Sequence, residues 1–364
     1  MLKVLYILSH ARSGSTILDI LLGNHPQIVS TGELSKFYRF AFLDPQYCSC
    51  GQPVAECSFW SSVTTRLHAD QAVGDISRQN QLQNTFERYR YWPLRAFHPP
   101  TRRRAGQYRR QLLGHYQAIA EASGKNIIVD SSKNGLRALR LSEMAREGQV
   151  DARFLFLVRD GRGIVWSFKK QMARQPEIGR QKDFKKKSTL RTTLSWLLAN
   201  SLCEHVIRKV PSASTFRMRY EDLCSAPEET LTRLAAWAEV DPDPLADALQ
   251  SDAGLEISHL VAGSRHRMAG QIRFRPDQEW RGRWDTTPTP ARSARRPPRR
   301  RISPRNETIK PPHEPARRYE NPPMAVPEIL WNPPDGCSTV VRCRSRLRTS
   351  VRAFFDLDAF TADV

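Results

Sequence analysis

The run Ser9-His10-Ala11-Arg12-Ser13-Gly14-Ser15-Thr16 combines small residues, hydroxyls and one guanidinium. Such a run can cradle an oxyanion. Small residues let backbone N–H groups converge, the helix that follows adds its dipole, and Arg12 adds a full charge. Ser13, Ser15 and Thr16 can donate hydroxyl hydrogen bonds, and Gly14 leaves room for close approach. The G-x-x-x-x-G-K-[ST] spacing of a Walker A loop is missing, so its lysine and magnesium-holding hydroxyl have no counterpart. That argues against an ATPase or an ordinary kinase. A second loop, Arg159-Asp160-Gly161-Arg162-Gly163, closes an apolar run, and Ser167 falls one to two turns into the helix after it. An arginine at a strand end and a helix-borne serine can converge on one further phosphate. Two separate phosphate sites suit a nucleotide phosphorylated at two positions.

These loops need elements to hold them. Residues 3–8 read as a short buried strand and Thr16 to Leu22 as a helix, stopped by Gly23-Asn24-His25-Pro26. Further strands are expected at 127–129 and 154–158, the second a continuous apolar run of the kind found in sheets covered on both faces. Residues 215–220 alternate and read as a half-covered strand. Helical stretches are expected at about 188–209 and 227–239. Strand, loop and helix repeat, which predicts a three-layer α/β/α domain with a mostly parallel central sheet. The polar, Gln- and Arg-rich segment at about 60–122 reads as a helical insertion that could wall an acceptor site, or equally as ordinary scaffold.

The chain has 364 residues, enough for one large α/β domain or two modest ones, and a formal net charge of +20. Nucleic acid, an anionic membrane or an anionic small substrate could each explain that charge. Much of it sits after residue 286, where Pro and Arg dominate through Pro334. Such a segment cannot bury enough apolar surface to fold, so 286–364 is expected to be a disordered tail. Its composition also fits an out-of-frame reading of GC-rich coding DNA. Residues 1–285 then form the folded domain. No apolar run approaches the length of a membrane span, and no secretory signal is apparent. Seven cysteines, an odd number, suggest a reducing, cytoplasmic setting. Cys48-Ser49-Cys50-Gly51 followed by Cys57 could bind zinc given a fourth ligand such as His68. Free or redox-labile thiols in a buried loop are the preferred reading, so no metal ligands are assigned.

In these motifs the chain resembles the PAPS-dependent sulfotransferases, where PAPS is 3′-phosphoadenosine 5′-phosphosulfate. The likeness is to their bacterial and carbohydrate- or tyrosyl-protein branches. Arg12-Ser13-Gly14-Ser15-Thr16 looks like their 5′-phosphosulfate loop, and Arg159-Asp160 with Ser167 like their 3′-phosphate motif. Gly32-Glu33, Asp130-Ser131-Ser132-Lys133 and Arg219-Tyr220-Glu221-Asp222-Leu223 are further matches in the same order. The resemblance covers about residues 1–284. It implies a P-loop-NTPase-like sulfotransferase fold, PAPS as co-substrate and no metal in the chemistry. It also implies that Arg12 holds the phosphosulfate, that Arg159 and Ser167 bind the 3′-phosphate, and that Glu33 is the general base. Lys133 would sit near the donor. Arg265 and Arg267 resemble the family's basic C-terminal loop and are candidates for phosphate contact. The acceptor, a carbohydrate, lipid, peptide or small metabolite, is not legible. A nucleotide kinase or NTPase, and a nucleic-acid binder acting through the tail, are the competing readings.

Overall fold

A computed structural model describes residues 1–69, 76–88, 101–170 and 186–284. Five strands, β1 (Lys3–Ser9), β2 (Ile28–Ser30), β3 (Ile127–Asp130), β4 (Asp151–Val158) and β5 (Thr215–Arg219), form one sheet. Its order is β2-β3-β1-β4-β5 and every pairing in it is parallel. The helices in chain order are α1 (Ser15–Gly23), α2 (Ser58–Ala69), α3 (Ile76–Glu87), α4 (Arg102–Ser123), α5 (Gly135–Arg146) and α6 (Gly161–Lys169). They continue as α7 (Thr189–Ile207), α8 (Tyr220–Ser225), α9 (Pro227–Ala238), α10 (Asp243–Gln250) and α11 (Arg281–Trp284). A short antiparallel pair, β6 (Leu255–Glu256) and β7 (Gln271–Ile272), lies outside the main sheet.

Strand side chains point alternately to opposite faces, and each set has its own helix layer. Val4, Tyr6, Leu8, Phe154 and Phe156 pack with residues of α2, α4, α5 and α7, among them Trp60, Tyr116, Leu141 and Val206. Leu5, Ile7, Leu155 and Leu157 pack with Leu18 and Leu21 of α1, Leu231 and Leu234 of α9, and Leu245 of α10. The expected three-layer α/β/α architecture is therefore present. A buried polar lattice ties the first layer to the sheet. Arg137 of α5 pairs with Glu87 of α3 at 2.7 Å and Asp130 of β3 at 3.1 Å, while Tyr116 of α4 donates to Asp130 at 2.7 Å. A charge buried this deeply stays only because it is paired and hydrogen-bonded.

Two expectations differ from the structure. β2 was not foreseen, because three residues directly after a turn at His25-Pro26 carry too little alternation to read as a strand. Tyr220 opens α8 rather than ending the fifth strand. The expectation for 286–364, and those for the parts of 60–122 between the helices, fall outside the described residues. Among the described residues no helix is long and apolar enough to cross a membrane.

Candidate active site

The loop from β1 to α1 places Arg12 to Thr16 at the C-terminal edge of the sheet, where a doubly covered parallel sheet carries its ligands. Its backbone is strained in a telling way. Gly14 has φ of 93°, and a Cβ there would run into the Tyr220 ring. Arg12 itself has φ of 71°, a left-handed conformation that costs a bulky residue about 1–3 kcal/mol. The hydroxyl of Ser13 and Nε of Arg159 are buried without a hydrogen-bond partner. Buried polar atoms left so are uncommon in folded proteins and call for an explanation. Thr16 Oγ1 accepts from the amide of Ser264, which brings the 264–267 segment against the loop. Burial, with Arg265 and Arg159 nearby, pulls the Arg12 guanidinium down to about 10 against the opposing effect of Glu33. Arg12 is still a cation at neutral pH.

Glu33 and Lys133 meet beside this loop. Lys133 Nζ donates to Glu33 Oε1 at 2.6 Å and to the Ser131 carbonyl at 3.1 Å. Both side chains are nearly buried, and Lys133 is also held at positive φ, 63°. Burial pushes the Glu33 carboxyl up, but Lys133, Lys36 and Arg267 together outweigh it and hold the group below the ordinary carboxylate range. The position of Glu33 is fixed from behind. Its amide donates to the Ala262 carbonyl at 3.3 Å, and Gly32 has φ of 73° with no room for a Cβ against that same carbonyl. Gly32→Ala is expected to cost on the order of 1–3 kcal/mol of folding stability, read from the urea midpoint.

Arg159 closes the other side. Its Nη1 donates to the Arg12 carbonyl at 3.0 Å, its guanidinium lies 4.6 Å from the Tyr220 ring centroid, and its Nη2 pairs with Asp277 at 3.0 Å. The Trp196 indole donates to the Arg159 carbonyl, and Glu221 accepts the amide of Asp160 at 2.9 Å. Asp160 caps α6 by accepting from Arg162 N. Gly163 lies against Arg159 Nε and the Trp280 indole. Ser167, one turn further along the same helix face, is half-buried. Arg265 faces Arg12 closely enough to depress its basicity. Arg267 is buried and donates to the Tyr47 carbonyl at 2.7 Å and the Leu260 carbonyl at 3.4 Å.

Residues 5–244 match the sequence model described as the sulfotransferase family. The chain belongs to the sulfotransferase family. Its fold is similar to that of the sulfotransferase domain from the curacin biosynthetic pathway, at 18% identity and a TM-score of 0.45, covering 80% of this chain and 94% of that one. The sulfotransferase domain of the Synechococcus PCC 7002 olefin synthase is similar at 19% identity and a TM-score of 0.39, covering 69% and 78%. Sulfotransferase STF9 from Mycobacterium avium is similar at 11% identity and a TM-score of 0.38, covering 69% and 70%. No curated protein matches the chain.

Lys36, His10 and Tyr220 also stand at this candidate site. Lys36 sits among Glu33, Arg39 and Lys133, and burial lowers its ammonium's pKa. His10 reaches Ser195 at 3.0 Å and lines a small cleft with Phe168, Lys187, Arg191 and Thr192. Burial lowers its imidazole to about 4, so it is neutral at physiological pH. Tyr220 touches both arginine loops and Asp277. His10 and Tyr220 lie inside motifs already singled out in the sequence, whereas the only signal for Lys36 was its place three residues after Glu33.

Proposed function

We propose that the protein transfers a sulfuryl group from PAPS to an acceptor hydroxyl or amine, releasing 3′,5′-bisphosphoadenosine. The observation that carries this reading is the convergence of two arginine-bearing loops. Arg12 and Arg159 are joined by a hydrogen bond from one guanidinium to the other's carbonyl, and a buried carboxylate–ammonium pair lies beside them. One cradle suits the 5′-phosphosulfate and the other the 3′-phosphate.

In this scheme Ser13 to Thr16 and Arg12 hold the phosphosulfate, with Arg265 above it, while Arg159 and Ser167 take the 3′-phosphate. Glu33, ionised because its neighbours are cations, accepts the acceptor's proton as the new sulfur–oxygen bond forms. Arg12 and Lys133 offset the charge left on the phosphate as the old sulfur–oxygen bond breaks. Positioning and fixed positive charge supply the catalysis. Arg267, facing carbonyls, supports the wall of the site.

Calorimetric titration with 3′,5′-bisphosphoadenosine, against 5′-AMP and ATP, tests the reading. Binding that requires the 3′-phosphate supports it, and equal affinity for 5′-AMP overturns it. Asp277 presents a carboxylate to Arg159 where the 3′-phosphate would bind, so Asp277→Asn is expected to tighten bisphosphoadenosine binding by up to about fivefold. The same titration reads it.

The Glu33–Lys133 pair sets a pH dependence. A carboxyl held below its ordinary range stays ionised as pH falls through the usual carboxylate region, so the acid limb of kcat/KM should lie below that of a free glutamate. Lys133→Met removes the strongest of the opposing cations and leaves burial to act. The acid limb then moves to higher pH, which a pH–rate profile of the two proteins would show.

A further inference from the structure

We propose that Cys48, Cys50, Cys57 and His259 form a structural zinc site. One ligand atom from each of the four residues lies within 4.8 Å of all the others. Cys57 Sγ is 3.1 Å and Cys48 Sγ 3.9 Å from Nδ1 of His259. Tetrahedral zinc with bonds of about 2.3 Å to sulfur and about 2.0 Å to nitrogen puts such atoms roughly 3.5–3.8 Å apart, so side-chain shifts of up to about 1 Å complete the site. The donor set is soft thiolate with one imidazole, the chemistry that selects zinc, and four protein ligands leave no open position. The fourth ligand considered from sequence, His68, lies on α2 with its side chain outside the described residues.

The surroundings fit a metal rather than three idle thiols. The His259 ring stacks on Phe59 at 5.3 Å and 12°, which fixes its orientation. Cys48 and Cys57 are fully buried while Cys50 is exposed, which gives an ion a way in. Arg267 joins the two ligand-bearing segments by donating to the carbonyls next to Cys48 and His259, those of Tyr47 and Leu260. Its positive charge also complements the net negative charge of a zinc ion with three thiolates. Ser49 reinforces the join by donating to the Ser258 carbonyl and accepting from Leu260 N. On binding, the three thiols release their protons to solvent and His259 coordinates in its neutral form.

The consequence reaches the site described above. His259 precedes Leu260-Val261-Ala262, and that segment holds Thr31 and Glu33 through Val261 N to the Thr31 carbonyl and Glu33 N to the Ala262 carbonyl. Zinc would fasten the 48–57 loop to the segment behind Glu33. The proposal is independent of PAPS use, because its readout is metal content.

The test is elemental analysis of the full-length protein purified from zinc-replete culture, followed by cobalt substitution. One zinc per chain is expected, with the visible d–d bands of tetrahedral cobalt and thiolate-to-cobalt charge transfer in the replaced form. Cys50→Ser, at the exposed ligand, should lose the metal on dialysis while staying folded. His259→Cys should keep it and move the cobalt bands toward an all-thiolate site. Cys203→Ser and Cys224→Ser should change neither. A folded protein with no bound zinc overturns the proposal, as does a disulfide within the 48–57 loop. So does full zinc retention by Cys50→Ser.

Discussion

Replacing Glu33 by Gln should lower kcat by about 10²–10⁴-fold, the usual contribution of a positioned general base, and leave bisphosphoadenosine binding nearly unchanged. Gln preserves shape and can still accept a hydrogen bond from Lys133, so the walls of the site should hold. The separation of the two readouts is what makes this informative. Glu33 lies against Lys133, Lys36 and Arg267 and is anchored through its own amide to Ala262. A purely structural Glu33 would show its loss in the denaturation midpoint. A catalytic one shows it in single-turnover rates at saturating donor. If Glu33→Gln turns over at the wild-type rate, another group takes the proton and the assignment is wrong.

Arg159→Ala should weaken bisphosphoadenosine binding by at least about 30-fold, since a buried, charge-assisted phosphate contact is worth about 2 kcal/mol or more. Affinity for 5′-AMP should fall far less. Arg159 also holds the Arg12 carbonyl and stacks on Tyr220, so a general collapse of the loop is the rival explanation. Arg159→Lys separates the two. Lysine keeps the charge and loses the planar fork, and should recover only part of the affinity. Equal weakening for 5′-AMP and for bisphosphoadenosine would place the defect in the first loop instead.

The elements that hold these groups were legible where a pattern was local. β1, β4 and the loop after each show as apolar runs ending in charged or small residues, and a parallel sheet covered on both faces makes such runs continuous. The three-layer architecture follows from their alternation with helices. Glu33 and Lys133 are a different matter. They stand 2.6 Å apart in space, and nothing in either neighbourhood announces the other. Only the resemblance brought both into view. Ala262 and His259 were less legible still, because their roles are backbone support and completion of a cluster whose other members lie near residue 50. A fourth ligand sought near the cysteines in sequence led to His68. The fold supplied His259 through a return of the chain.

The sheet order has a consequence for how the protein is made. β1 is the first of the five sheet strands to leave the ribosome and the middle strand of the finished sheet, where Leu5 pairs with Val129 on one side and Arg153 on the other. At synthesis rates of about 5–20 residues per second, on the order of ten seconds pass before its neighbours exist. Longer still passes before Ala262 arrives to brace Glu33. Through that interval a strand of bare aliphatic and aromatic residues has both edges open. Pairing across such separations is intrinsically slow, so newly made chains of this protein should depend on chaperones that shield β1.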